Sequence, residues 1–317
     1  MILTVTPNPS IDLLFAAERL VWDDANRLDT PRRRAGGQGI NLARAAAALG
    51  GEARAVALLG GASGAELRRM LDEIGLPLDE VVIAGETRVF VGVREGATHR
   101  SLTLNSRGPA TGGDDAERLL RATEAALATH RPRWLVCSGS LPPGMPDDVY
   151  VRMTSIARAH RARYVVDCDG AALRLAASSG CDVLSPNAAE AERLLGLAPG
   201  TLAAERDAAA AALEMRARFG VRVAFVTLGV AGAVGADGDS AWHVAAPEAD
   251  PGTSAVGAGD AFLAAALLAL DGGAGAELAT RAGVAAGSAV LRSRGSVLLE
   301  RADYDDLLKK TNARRIV

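Results

Sequence analysis

Lysine is nearly missing from this chain. Lys309 and Lys310 are the only two, so a cation in a binding site elsewhere has to be an arginine. Cysteine is scarce as well: Cys137, Cys168 and Cys181 form no C-x-x-C pair, and three thiols cannot all be bridged to one another. They read as small buried residues of a protein kept in a reducing compartment. The four histidines, His99, His130, His160 and His243, have no metal-ligand spacing, which argues against a zinc site. An excess of positive charge is lacking too. The net charge is −3, whereas nucleic-acid and acidic-membrane partners both favour basic proteins, so neither is expected. Apolar runs are too short to span a bilayer, and no basic segment precedes an apolar core at the N-terminus. The expectation is a cytoplasmic protein.

What is present begins with residues 252–271, G-T-S-A-V-G-A-G-D-A-F-L-A-A-A-L-L-A-L-D. Gly257-Ala258-Gly259-Asp260 stands directly before an unbroken apolar run of strong helix formers with no β-branched residue. A glycine-rich turn therefore feeds the first turn of a buried helix, whose unpaired N–H groups and positive dipole end make an anion cradle. Asp260 in that turn caps the helix or acts as a base. In the second reading it takes a proton from a hydroxyl while the Gly257, Ala258 and Gly259 N–H groups hold developing negative charge. That combination suits phosphoryl transfer to an alcohol.

With 317 residues, 49% of them hydrophobic, the chain can build one large α/β domain or two medium ones. Residues 1–6 read as a buried strand ending at Pro7, and 12–34 as polar and irregular. Ala35-Gly36-Gly37-Gln38-Gly39-Ile40-Asn41 opens an Ala-rich helix without matching the dinucleotide pattern G-x-G-x-x-G. Residues 81–83, 88–93 and 99–104 are short, β-rich and separated by turns, which predicts a hairpin or meander. From 114 onward strand and helix patterns alternate, which predicts a parallel sheet covered on both faces. The expected division is a main α/β body (1–11, 35–80 and 108–317) with a small β lid (12–34 and 81–107). Ligands of open parallel sheets sit beyond the carboxyl ends of the strands. Polar residues follow several predicted strands there, among them Asn8, Ser10, Asp12, Ser138, Asp167, Ser185, Asn187 and Thr227. Asn187 is ambiguous: with Glu190 it forms a capping-box pattern, or the two present oxygens to a hydrated Mg²⁺.

Six motifs in order then carry a resemblance over nearly the whole length. They are Thr6-Pro7-Asn8-Pro9-Ser10-Ile11-Asp12, the block Gly36 to Arg44, the loop Ser138-Gly139-Ser140-Leu141-Pro142-Pro143-Gly144, Pro186-Asn187-Ala188-Ala189-Glu190, Thr227-Leu228-Gly229 with Gly232, and Val256-Gly257-Ala258-Gly259-Asp260. The chain resembles the ribokinase-like (PfkB) carbohydrate kinases, in particular their phosphosugar branch. The resemblance implies the ribokinase-like fold, a mostly parallel central sheet with helices on both faces plus a small β lid. It implies Asp260 as catalytic base with Gly257, Ala258 and Gly259 as its anion hole. Asp12, Gly37, Gln38, Asn41 and Ser138 are implied at the sugar, and the lid arginines Arg27, Arg88 and Arg100 at its phosphate. Ser185, Asn187, Thr227, Gly229, Gly232, Gly283 and Gly287 are implied at the nucleotide, and Asn187 with Glu190 at the metal. ATP and Mg²⁺ are the implied cofactors, and a homodimer through the lid the implied assembly.

Two departures stand out. Relatives in that branch often carry lysine where this chain has Gln38, and again where it has Ser185, so two cations are missing from a polyanion site. The expected activity is phosphorylation of a ketose phosphate by ATP. Fructose 1-phosphate is the first choice, because Asn105-Ser106-Arg107-Gly108-Pro109 resembles the corresponding stretch of 1-phosphofructokinases. Fructose 6-phosphate and tagatose 6-phosphate are alternatives. An unphosphorylated sugar or a nucleoside is a further one, and so is a phosphosugar-binding sensor without turnover.

Overall fold

The computed structural model describes residues 1–98, 100–247, 255–293 and 298–317. His99 and residues 252–254, which belong to stretches read above, lie outside the described residues. The first half contains β1 (Ile2–Thr6), β2 (Ser10–Ala17), β3 (Arg32–Gly36), α1 (Gln38–Ala48), β4 (Ala53–Leu59), α2 (Gly61–Glu73), β5 (Leu78–Val82), β6 (Arg88–Glu95), β7 (Ser101–Asn105), α3 (Gly113–His130) and β8 (Trp134–Ser138). Then come α4 (Val149–Ala159), β9 (Arg163–Asp167), α5 (Gly170–Ala177), β10 (Val183–Leu184), α6 (Ala188–Leu195), α7 (Glu205–Phe219) and β11 (Val223–Thr227). The chain closes with β12 (Ala233–Asp237), β13 (Ser240–Val244), α8 (Ala258–Asp271), α9 (Ala276–Arg292), α10 (Arg301–Lys310) and β14 (Ala313–Arg315).

Among the described residues ten strands form one sheet in the order β14-β13-β12-β11-β10-β9-β8-β1-β4-β5. From β5 to β11 every pairing is parallel, and β12 to β14 add an antiparallel edge. β1 and β8 are buried along their whole length, as strands covered on both faces must be. Alternation sorts their side chains. Leu3, Val5, Leu135 and Cys137 enter the core beneath α3 to α7, whereas Ile2, Trp134 and Val136 enter the core beneath α1, α8, α9 and α10. α8 buries most of its length, and its alanines let α9 lie close. At Gly283 of α9 a Cβ would fall 2.5 Å from the Phe262 ring. That ring in turn meets Phe225 of β11 edge-on, centroids 5.4 Å apart.

The second sheet has four strands in the order β3-β2-β6-β7, and here the sequence reading needs correction. Residues 12–34 are not simply irregular: most of β2 and most of β3 lie within them. The run Arg32-Arg33-Arg34 concealed an edge strand: Arg32 and Arg33 face water, as an edge tolerates, whereas Arg34 is buried. β6 and β7 form the expected hairpin, but the sheet is not a local meander, since β2 pairs in parallel with β6, a strand far along the chain. Residues 81–83, read as part of the lid, instead follow the large sheet: β5 pairs with β4, Val81 opposite Leu58. β2 begins four residues after β1 ends. The small sheet therefore rises from the same edge of the large sheet onto which β1, β8, β9, β10 and β11 discharge their loops.

Candidate active site

Gly257 takes φ +91° and turns the chain into α8, a conformation glycine adopts without strain. The Ala258 N–H is committed to the Ala255 carbonyl at 3.0 Å, so it drops out of the expected anion hole. Gly257 and Gly259 keep their N–H groups unpaired among the described residues. Gly259 is exposed, and nothing lies within 4 Å of where its Cβ would be, which leaves a ligand room to reach the backbone. Asp260 follows, buried, and does not cap the helix. Its Oδ2 accepts from Asn41 Nδ2 at 2.9 Å. Burial pushes the Asp260 carboxyl well above its ordinary range. The charges of Asp167 and Asp12 add to the rise, and the Asn41 bond and Arg34 oppose it. A carboxylate with raised proton affinity is a better base for a hydroxyl.

Asp12 of β2 stands opposite Arg34 of β3. It is buried, and Ser10 Oγ donates to its Oδ1 at 2.6 Å. Burial raises its carboxyl, while Ser10 and the charges of Arg34, Arg88 and Arg44 pull it back. The glycine block has steric reasons. A Cβ on Gly36 would fall 2.1 Å from Asp12 Oδ1, and one on Gly37 2.9 Å from Thr6 Cγ2. These glycines let the start of α1 lie against the end of β1, and that delivers Asn41 to Asp260. Around this corner Thr6 Oγ1, Asn8 Oδ1 and Asn41 Oδ1 are buried without a partner. Native interiors rarely leave such groups unpaired together.

Of the three lid arginines, the structure brings Arg88 to this corner. Its Nε donates to the Asn8 carbonyl at 3.0 Å and its Nη1 to Asn105 Oδ1. Asn8 Nδ2 donates to the Arg107 carbonyl at 3.0 Å and to Ser140 Oγ at 3.2 Å, which staples the chain after β7 to the end of β1. Arg27 and Arg100 are exposed, and no contact among the described residues joins them to Asp12 or Arg88. Sequence reasoning passed over Arg34 and Thr6. Arg34 would have been found by pairing its strand with the one carrying Asp12.

Beyond Asp260 lie the ends of β9, β10 and β11. Ser138 is buried and donates to Asp167 Oδ2 at 2.8 Å rather than standing free. Burial pushes Asp167 up to about 6. Asn187 and Glu190 form a complete capping box on α6: Glu190 N–H donates to Asn187 Oδ1 at 3.0 Å, and Asn187 N–H to Glu190 Oε2 at 2.9 Å. Burial and the charges of Asp167 and Asp169 push Glu190 up to about 7, against its bond from Asn187. Gln38, Ser140, Asp169 and Glu190 line a cleft of about 270 Å³. Ser185, directly after β10, is buried and is not among the residues lining this cleft, and the Thr227 N–H donates to the Pro186 carbonyl at 3.1 Å. Gly229 and Gly232 shape the following turn, where a Cβ on Gly232 would meet the Val244 carbonyl oxygen at 2.0 Å. Gly283 has a packing reason against Phe262, and Gly287 lies close to the Ala258 carbonyl.

The pfkB family carbohydrate kinase profile matches residues 7–301. The chain is 33% identical over 309 residues to the ATP-dependent 6-phosphofructokinase isozyme 2 of Escherichia coli K12, covering 97% of each. It is 34% identical over 283 residues to the 1-phosphofructokinase of Rhodobacter capsulatus, covering 88% of each. The crystal structure of phosphofructokinase-2 from Escherichia coli with substrates and products superposes with a TM-score of 0.87 at 30% identity over 98% of both chains. The large, mostly parallel sheet with its smaller companion is thus the ribokinase-like architecture. The chain belongs to the pfkB family of carbohydrate kinases and is a phosphotransferase with an alcohol group as acceptor.

Proposed function

We propose that this kinase transfers the γ-phosphoryl group of ATP to a hydroxyl of a ketose phosphate, with fructose 1-phosphate as first choice and fructose 6-phosphate as alternative. The observation that carries the reading is the Asn41–Asp260 bond beside unpartnered Thr6, Asn8 and Asn41 oxygens and the half-buried Arg88. The oxygens suit sugar hydroxyls, and a guanidinium suits a phosphate. In the reaction the acceptor oxygen bonds to the γ-phosphorus, the bond to the β-phosphate oxygen breaks, ADP leaves and Asp260 takes the proton. The Gly257 and Gly259 N–H groups face the charge that develops on the transferred group.

Mg²⁺, when bound with the nucleotide, neutralises phosphate charge. Among the described residues no three carboxylates, histidines or cysteines form a closed metal site. The donors suit a hydrated ion carried by phosphates instead. Asn187 Oδ1 is taken by the cap, so Glu190, whose Oε1 is uncommitted and whose carboxyl is already crowded by Asp167 and Asp169, would hold it. Register and alternation place Leu13, Val91 and Leu104 together on the lid face away from Asp12. With Leu104 exposed there, and with Trp22 exposed in the segment joining β2 to β3, a second copy of the chain is the proposed cover. All three cysteines are free and buried, which supports residence in a reducing cytoplasm.

The test is ADP release measured with fructose 1-phosphate, fructose 6-phosphate, tagatose 6-phosphate, fructose and ribose. A phosphorylated ketose should give the highest kcat/KM by at least tenfold. Equal turnover of fructose would sink the phosphosugar reading, and no turnover with binding intact would identify a sensor.

A further inference from the structure

Arg88 is held at both ends. Thr87, the residue before it, is buried and locked to the loop after β4: its N–H donates to the Gly60 carbonyl at 2.9 Å, and its Oγ1 accepts from the Gly60 N–H at 3.0 Å. The guanidinium is held by three oxygens. Nε donates to the Asn8 carbonyl at 3.0 Å, and Nη1 to Asn105 Oδ1 and, at 3.4 Å, to the Ser106 carbonyl. Nη2 has no partner among the described residues, and it is not one of the polar atoms shut away from solvent.

The segment that supplies two of those oxygens is itself pinned. Ser106 Oγ donates to the Val89 carbonyl at 3.0 Å, on the strand that carries Arg88. Asn8 Nδ2 donates to the Arg107 carbonyl at 3.0 Å. Gly108 takes φ +94° and lies so close to Asn8 that a Cβ there would fall 2.3 Å from Asn8 Oδ1. The stretch Asn105-Ser106-Arg107-Gly108 is thereby fixed against the end of β1, with the Asn105 side chain on Arg88.

All three acceptors on Arg88 are neutral. Arg33 and Arg193 differ, since Glu66 and Asp169 neutralise them at 2.7 Å. Burial makes the Arg88 charge costlier, and Asp12 offsets part of that cost from a distance. A neutral oxygen fixes a guanidinium without cancelling its charge, so an anion need not displace a carboxylate to reach it. Fixing the fork before the ligand arrives also lowers the entropy lost on binding.

We propose that Asn105 is a positioning residue for the acceptor's phosphate, acting through Arg88: its neutral side-chain oxygen holds the guanidinium in its binding orientation and leaves the positive charge to the ligand. The inference rests on the reading of Arg88 as the phosphate-binding cation.

ADP release is measured with fructose 1-phosphate, fructose 6-phosphate and fructose for the native protein, Asn105→Ala, Asn105→Asp, Arg88→Ala and the Arg88→Ala/Asn105→Ala pair. Asn105 is exposed, so its replacement leaves the core intact. For the preferred phosphosugar, Asn105→Ala should raise KM about tenfold, the lower end of the scale for one hydrogen bond to a charged group. The kcat and the KM values for ATP and fructose should move less than about threefold. Asn105→Asp keeps an acceptor but neutralises the cation, and should raise KM further. Beside Arg88→Ala, the Asn105→Ala change should add less than about twofold, because a residue that acts through Arg88 has nothing left to position. The proposal is overturned if Asn105→Ala leaves the phosphosugar KM unmoved, if fructose loses as much, if Asn105→Asp keeps the native KM, or if the loss is undiminished beside Arg88→Ala. Should Arg88→Ala itself leave that KM unmoved, the phosphosugar reading fails and this inference with it. A loss in Arg88→Ala with none in Asn105→Ala overturns this inference alone.

Discussion

Asn41 at the start of α1 and Asp260 in the first turn of α8 are 219 positions apart in sequence, yet the Asn41 amide donates to the Asp260 carboxylate at 2.9 Å. The bond orients the base and holds its proton affinity below what burial alone would set. It leaves the Asn41 oxygen, buried and unpartnered, beside the same carboxylate.

Removing the base and removing its partner should therefore differ. Asp260→Asn should lower kcat by about 10²-fold or more with substrate Kd little changed, the usual scale for loss of a general base. Asn41→Ala should raise the Asp260 pKa further, since the lowering hydrogen bond is lost. The acid limb of the kcat profile should then move to higher pH. Full turnover by a folded Asp260→Asn protein, or an unmoved limb in Asn41→Ala, would remove these roles.

Arg88 should be separable from its lid companions. Arg88→Ala is expected to raise KM for the phosphosugar at least tenfold, about the loss of one charge-assisted hydrogen bond at 1.5–3 kcal/mol, with KM for ATP little moved. Arg27→Ala and Arg100→Ala, exposed as they stand, should change it less than threefold. Kinetics with fructose in parallel decide whether the phosphate is what Arg88 reads, since an equal loss with fructose would mean that Arg88 only holds the lid to Asn8.

Glu190 makes a pH prediction. Its folded-state pKa lies at about 7, above the ordinary carboxyl value, so the stability linked to its neutral form is complete below about pH 4.5 and lost as pH rises through 7. Glu190→Gln, whose amide oxygen can still accept from Asn187, should match the native Tm near pH 4.5. It should gain on the native protein progressively up to pH 8. A gap that stays constant or closes with pH would show that Glu190 is not held neutral by its surroundings.

Two glycines should fail in opposite ways. Gly283→Ala puts a methyl group against the Phe262 ring and should cost about 1–3 kcal/mol of stability, the scale of overpacking a core. Tm should fall while the specific activity of the remaining folded protein changes little. Gly259→Ala meets nothing within 4 Å and should leave Tm unchanged while cutting kcat, because the methyl group stands where the transferred group must lie. Unfolding scans and kinetics on the same two preparations decide it, and a stability loss in Gly259→Ala would contradict an open cradle.

The sequence by itself determined the α/β alternation, because strands covered on both faces must be continuously apolar and Ala–Leu runs must be helical. It also marked the turn before α8 and the capping pattern of Asn187 and Glu190, which are local features written within a few residues. What only the tertiary structure decided involves pairs distant in sequence. β2 chooses β6 as its neighbour, the Arg32-Arg33-Arg34 run becomes an edge strand, and β5 joins the large sheet, because each buries an apolar face that exists only once the other strands are in place. Ser138 is spent on Asp167, the Ala258 N–H on Ala255, and Arg34 is buried opposite Asp12 with donors to spare. No local pattern sets such partners; each is fixed by which groups the packed sheet shuts away from water together.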